Sequence, residues 1–191
     1  MQTTCNRTDR PDASRRAALK GLAAVPFAIA LSRAGLANAS EPRALAFHHL
    51  HTGERLSVVY FAEGEYVSES LERIDWLLRD FRTGDVCTIA PDLLDTLHAL
   101  QRVCGASAFE VICGYRSPQT NAMLRNTGGG GVAEHSLHLQ GRAIDVRVNG
   151  LDTACLRQAA ISLQRGGVGY YPKSNFIHLD TGRVRSWGQA A

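Results

Sequence analysis

At 191 residues the chain is long enough for one domain with a real core and too short for two comfortable ones. Its formal net charge is +3, yet six of the 21 Lys and Arg and only two of the 18 Asp and Glu lie in residues 1–39, so the remainder carries 15 cationic against 16 anionic side chains, a net −1. A nucleic-acid binder should show a basic footprint, and here the excess belongs to the N-terminal segment, which argues against nucleic acid as a partner.

That segment has its own character. Arg15-Arg16 stand in the string SRRAALKG, an uncharged stretch runs from Gly21 to Leu31, and Ala37-Asn38-Ala39 follow. This is a charged region, an apolar region and a small-residue cleavage site in the order of an export signal. The uncharged stretch spans 11 residues, against the roughly 20 that cross a bilayer as a helix, so no transmembrane span is expected. Ser14-Arg15-Arg16 followed by Leu19-Lys20 resembles the twin-arginine type, with Ala18 where that pattern prefers Phe; a general secretory signal is the alternative. The expected organisation is an export signal over 1–39, cleaved near Ala39, and one domain over 40–191.

Four of the five cysteines, Cys87, Cys104, Cys113 and Cys155, survive such a cleavage. An even number in an oxidising compartment suggests one or two disulfides and a structural role. None of the four forms a C-x-x-C pair, so a thiolate zinc knuckle has little support, and the pairing stays open among three connectivities.

From Ala44 to Phe61 two partly alternating apolar runs flank Thr52-Gly53-Glu54, the pattern of a β-hairpin. His48, His49 and His51 fall on it, but no carboxylate or cysteine follows at ligand spacing, and they read as solvated or core-edge histidines. Leu71, Ile74, Leu77, Leu78 and Phe81 have helical spacing over 68–81, as do Leu93, Leu94, Leu97, Leu100 and Cys104 over 91–104, where Pro91 suits a first turn. His98 in the second helix has no partner one turn away and reads as a surface or packing residue. A strand is expected at Phe109–Cys113, and Ser117 can cap a short helix opened by Pro118. Gly128 to Gly131 read as a flexible rim beside a cleft, since a phosphate cradle needs a strand before it and Gly-Lys-Ser or Gly-Lys-Thr after it. Residues 142–148 alternate, with Ile144, Val146 and Val148 on one face and Asp145 on the other. A helix over 152–164 ends at Gly166-Gly167, and GVGYY and NFIHLD read as paired strands. The whole predicts an α+β domain with an antiparallel sheet and flanking helices.

Within SLHLQGRAIDV, His138 ends a loop, Gly141 permits a tight turn and Asp145 lies mid-strand; His178 lies on a later strand, with Phe176 and Asp180 on the same face. Two imidazoles and a carboxylate can converge across neighbouring strands. Three N and O ligands with a fourth position left for water are what catalytic zinc requires, whereas structural zinc sites are usually closed by four ligands. The spacing alone fits a core histidine and a surface aspartate equally well.

The strings SLHLQGRAIDV, ICGYRSPQTN and GVGYYPKSNFIHLDTGRVRSW resemble those of the D-alanyl-D-alanine metallopeptidase group, which joins the lysostaphin-type enzymes and the hedgehog zinc fold, and above all its murein endopeptidases of the MepK (YcbK-like) kind. The likeness runs from about residue 43 to the C-terminus. It implies zinc held by His138, Asp145 and His178, Ser136 supporting the first ligand's loop, and Arg116 facing the substrate; Arg116 tying down its own loop is the alternative. It also implies a periplasmic hydrolase that uses zinc-activated water to cut peptide cross-links between peptidoglycan stem peptides. A departure lies at the general base: where better-known members place Glu or His, this chain has Asn175 and Phe176. Asp180 is the candidate for activating the water, orienting His178 is its other reading, and Glu134 and His135 are weaker alternatives. The missing base also suits a non-catalytic zinc-containing peptidoglycan-binding module, and D,D-carboxypeptidase action is a further alternative.

Overall fold

The structure, a computed structural model, describes residues 41–127 and 132–188. The expected export signal and the glycine rim at Gly128–Gly131 lie outside the described residues. No helix among the described residues is long and apolar enough to cross a membrane.

The predicted hairpin forms from β1 (Arg43–His49) and β2 (Arg55–Ala62), which pair antiparallel and bury Leu45, Phe47, Val58 and Tyr60. A short β3 (Glu65–Tyr66) extends it. Helix α1 (Ser68–Leu77) is shorter than the apolar spacing predicts. Ile74, Leu77 and Leu78 enter the core, but the Asp80 carboxylate accepts from the backbone N–H groups of Arg82 and Ser117, both at 2.9 Å. These two bonds, one local and one from 37 residues away, hold Asp80 out of the helical pattern and end the helix, and Phe81 stacks on His51 instead, with ring centroids 4.1 Å apart.

Helix α2 (Pro91–Cys104) matches its predicted span, with Pro91 in the first turn and Gly105 in the left-handed conformation at the end. Its stripe of Leu93, Leu94, Leu97 and Leu100 is fully buried, and truncating one of these to alanine costs about 2–5 kcal/mol. After β4 (Phe109–Cys113) comes α3 (Pro118–Thr127), where the Ser117 hydroxyl caps Thr120 N–H at 3.2 Å. A 3-10 helix (Leu137–Gln140), β5 (Ala143–Arg147), α4 (Thr153–Ser162), β6 (Gly167–Tyr171), β7 (Phe176–Asp180) and β8 (Arg185–Trp187) complete the described chain.

The strands form one sheet in the order β3-β2-β1-β4-β5-β7-β6-β8, flanked by the four α-helices. The α+β class is as expected. Five of the seven adjacent pairs are antiparallel, while β1–β4 and β6–β8 run parallel. The first parallel pair follows from the crossover through α1 and α2, the second from the return past β7. Ile144, Val146, Ile177, Leu179 and Val168 face the core, leaving the opposite face of the central strands for polar residues.

Cys87, Cys104, Cys113 and Cys155 are all free thiols, so the expected disulfides are not formed. The sulfurs have other neighbours: Cys87 Sγ lies 3.6 Å from the Thr88 carbonyl, Cys104 Sγ 4.0 Å from the Gln101 carbonyl, Cys113 is buried in β4 and Cys155 is exposed on α4.

Candidate metal centre

Strand register brings the predicted residues together. Cys113 of β4 pairs with Asp145 of β5, Asp145 with His178 of β7, His178 with Gly169 of β6, and Gly169 with Trp187 of β8. One rung across five strands therefore carries the site. The next rung on the same face runs Ala143, Asp180, Gly167 and Arg185. His138 arrives on the 3-10 helix, and its own backbone N–H donates to the Ser136 hydroxyl at 3.4 Å. Gly141 ends that helix with φ +65°, and a Cβ there would collide with the Thr88 carbonyl oxygen, so the turn requires glycine.

The donor atoms converge. His138 Nε2 lies 3.1 Å from His178 Nδ1, His178 Nδ1 lies 2.9 Å from Asp145 Oδ1, and His138 Nε2 lies 3.3 Å from the same oxygen. Ligands bonded tetrahedrally to zinc at about 2.0–2.1 Å stand about 3.3 Å apart, so this triangle fits such an ion. Each imidazole is turned by a partner on its other nitrogen: His138 Nδ1–H donates to the Gly114 carbonyl at 2.7 Å, and His178 Nε2–H donates to Asp180 Oδ2 at 3.1 Å. Both free nitrogens then face the same point.

The electrostatics agree. Burial works to lower the His138 pKa, but the charges of Asp145 and Cys113 override it and raise it to about 10. Burial likewise works to raise Asp145, and His138 and His178 pull it well below the usual carboxylate range. Two ring nitrogens facing each other at 3.1 Å beside an ionised carboxylate require positive charge between them, either a proton or a cation.

Asp180 does not stand free to take a proton from water. Its Oδ1 accepts from Gly167 N–H at 3.1 Å, Gly182 N–H at 2.8 Å and Arg185 Nη1 at 3.0 Å. Its Oδ2 accepts from Arg185 Nη2 at 2.7 Å and His178 Nε2 at 3.1 Å. Five donors on a carboxylate with about four lone-pair sites leave no capacity for a base. Burial alone would raise its pKa, but these bonds, His178 and Arg185 foremost, push it well below the ordinary range. These contacts support the second of the two readings of Asp180, as the residue orienting His178.

The GVG of β6 explains how β8 reaches the centre. A Cβ on Gly167 would strike the Arg185 guanidinium and the Asp180 carboxylate, and one on Gly169 would meet the Trp187 indole at 2.6 Å. Two glycines on the site face open a gap through which Arg185 and Trp187 extend to Asp180 and His178. Trp187 lies 5.3 Å from the His178 ring and donates to the Tyr171 hydroxyl at 3.1 Å, while Tyr171 stacks on Phe176 at 4.7 Å.

Arg116 reaches the centre from the other side, with Nη2 3.8 Å from Asp145 Oδ2, Nη1 donating to Asn121 Oδ1 at 3.3 Å, and a buried Nε that has no partner. Its loop is fixed by Asp80 and by Tyr115 N–H donating to the Leu78 carbonyl at 2.8 Å. Several bonds hold Asp80 near a pKa of about 2 in spite of its burial, chiefly those from Thr120 and Ser117. A cleft of about 410 Å³ opens above the centre and is walled by Arg116, His135, Tyr171, Phe176 and Trp187. Glu134 is turned to Arg125 at 3.3 Å, on the surface, and does not wall the cleft.

Cys113, Arg185, Trp187 and Asp80 are residues that the motif spacing did not single out. The repeated period of two in GVG and in RSW was the available sign for Arg185 and Trp187.

An open cradle of two histidines and one aspartate at the base of a cleft is what a hydrolytic metal site requires. A family model described as peptidoglycan L,D-endopeptidase MepK matches residues 37–187, and the chain belongs to that peptidase family. It is 45% identical over 149 residues to a probable peptidoglycan L,D-endopeptidase MepK of Haemophilus influenzae, covering 77% of this chain and 80% of that protein. It is 38% identical over 182 residues to the peptidoglycan L,D-endopeptidase MepK of Escherichia coli (strain K12), covering 94% of this chain and all of that protein. No solved structure matches the chain.

Proposed function

We propose that this murein endopeptidase is exported and hydrolyses an L,D peptide bond in the cross-links between peptidoglycan stem peptides, with zinc held by His138, Asp145 and His178. The observation that carries this reading is the triangle of one carboxylate oxygen and two ring nitrogens, 2.9–3.3 Å apart, at the base of an open cleft. The L,D class of the bond comes from the relatives' names. Export rests on the arginine pair, the short apolar stretch and the small-residue site of residues 1–39.

Bound there, zinc would polarise the scissile carbonyl and bring the pKa of a water down to about 7. The protein's own groups do the rest. Arg116 brings its guanidinium to the cleft wall, with Nη2 3.8 Å from Asp145, suited to a substrate carboxylate or to the oxygen that gains charge at the reacting carbon. Asp180, clamped by Arg185, keeps His178 Nδ1 aimed at the ion. Ser136 steadies the turn that delivers His138. Tyr171, Phe176 and Trp187 offer an apolar wall for the aliphatic part of a stem peptide. His135, exposed on the cleft wall and outside the ligand triangle, is the imidazole left to carry protons between water and the leaving amine, now that Asp180 is saturated.

The test is a digest of purified cross-linked muropeptides by the zinc-loaded protein, resolved by chromatography and mass. The expected result is conversion of L,D cross-linked dimers to monomers, abolished by chelator and restored by zinc. Retention of uncut dimers on the protein would make it a binding module, and release of terminal D-alanine from monomers would make it a carboxypeptidase.

A further inference from the structure

We propose that Cys113 is a fourth protein donor to the metal, so that the centre holds its ion with one thiolate besides two imidazoles and one carboxylate. The inference rests on the metal reading of the His138, Asp145 and His178 triangle and adds a residue to it. Donor atoms of Cys113, His138 and Asp145 lie within 4.8 Å of one another. A thiolate bonded to zinc at about 2.3 Å stands roughly 3.6 Å from a neighbouring N or O ligand, so Sγ needs a movement on the order of 1 Å, within reach of a side-chain torsion.

The backbone is built to bring that sulfur there. By simple alternation Cys113 would share the core face with Phe109 and Val111. The β4–β5 register shifts between Val111 and Cys113, so Val111 pairs with the core residue Val146 and Cys113 with Asp145. The irregularity re-aims one side chain from core to site, a use to which bulges beside functional sites are put.

Charge favours the thiolate. The triangle supplies one negative charge, from Asp145, and Arg116 adds a positive one 3.8 Å from that carboxylate and 3.7 Å from the Cys113 sulfur. Asp180 and Arg185 cancel each other. A divalent ion would leave two uncompensated positive charges in a buried place, and a Cys113 thiolate halves that excess, which matters because unpaired buried charge costs several kcal/mol. The thiol proton leaves to solvent as the sulfur binds. Cys113 is buried and comes from the sheet, whereas the cleft lies on the side of Arg116, His135 and Trp187. The cleft side stays open for water, within the five-coordination that zinc accepts.

A soft donor makes the centre prefer thiophilic ions, zinc and cadmium above manganese or magnesium. The protein is stripped of metal and given one equivalent of cobalt(II). The expected spectrum has visible d–d bands plus an intense near-ultraviolet thiolate-to-cobalt band. Cys113→Ser keeps the former and loses the latter, and its cadmium affinity falls by about tenfold or more, at least the loss seen for groups that only support a ligand, with manganese affinity unchanged. X-ray absorption of the zinc-loaded natural protein, which needs no variant, should show a sulfur scatterer at about 2.3 Å. Visible bands with the same near-ultraviolet spectrum in both proteins, or a zinc shell of N and O alone, overturns the fourth donor and leaves the three-ligand centre standing. Absence of visible cobalt bands in the natural protein overturns both.

Discussion

Two histidine groups sit on this sheet, and they behave in opposite ways. On the β1–β2 hairpin, His48, His49 and His51 are near neighbours in sequence. His49 is fully buried, its Nδ1 accepts the N–H groups of His51 and Thr52 at 3.3 and 3.4 Å, and its ring meets the edge of Phe81 at 5.7 Å. Burial, His51 and Arg79 lower its pKa to about 4, with Glu54 opposing them only in part. At the candidate metal centre, His138 and His178 are 40 residues apart in sequence and share a carboxylate, and there the His138 pKa is raised to about 10 in spite of burial. The lesson is that closeness in sequence says little about ligation. What separates a ligand pair from a packed imidazole is an anion between the rings and a second partner fixing each tautomer.

The largest effect that sharpens this contrast comes from His178→Ala. Removing one corner of the triangle should abolish stoichiometric zinc binding and cut muropeptide hydrolysis by at least about a thousandfold, measured by metal analysis and the digest together. His138→Ala should match it. Retention of zinc at one equivalent by either variant would show that the ion sits elsewhere.

A smaller loss is expected one step back from the ligands. Asp180→Ala frees the His178 ring, and Arg185→Lys replaces a two-pronged clamp by a point charge that cannot make both bonds. Both should lower zinc affinity or turnover by about 10–100-fold. Gly167→Ala should do the same without touching any charge, because its methyl group would occupy the space of the Arg185 guanidinium. Competition with a chelating dye reads the affinity. Zinc affinity and turnover both unchanged in all three would mean that His178 needs no orientation, and a fall in turnover alone with a shifted pH profile would return Asp180 to the role of base.

Much of the centre was legible in the sequence because it follows from strand alternation. Residues 143–147 alternate cleanly, so Asp145 had to oppose Ile144 and Val146, and the period of two placed His178 and Asp180 on one face of β7. Three features were not legible, each for a physical reason. Cys113 reaches the site only through a register shift, which reverses the face that alternation assigns. The saturation of Asp180 depends on β8 returning parallel to β6 across two glycines, a long-range pairing that no local pattern encodes. The early end of α1 depends on Asp80 bonding to Ser117, 37 residues away, and this contact also holds the loop that carries Arg116. Local propensity governs helices such as α2, whereas tertiary partners decide these three places.

The smallest effect on hydrolysis belongs to the hairpin, and it is the sharpest control. His49→Phe removes the acceptor for two turn N–H groups, about 1 kcal/mol of stability at pH 7.5, and should leave zinc content and turnover unchanged. Its signature is in pH. The folded His49 pKa, about 4, lies below the ordinary 6.5. Between those values a proton binds the unfolded chain and not the folded one, so the natural protein is at full strength above pH 6.5 and loses stability as pH falls toward 4. The loss approaches about 3 kcal/mol at its limit. Denaturant unfolding from pH 7.5 to 4 should therefore show the natural protein weakening by this amount relative to His49→Phe, until the variant equals or exceeds it. Parallel curves for the two proteins would mean that His49 takes up protons freely in the folded state, and the contrast between the two histidine groups would vanish.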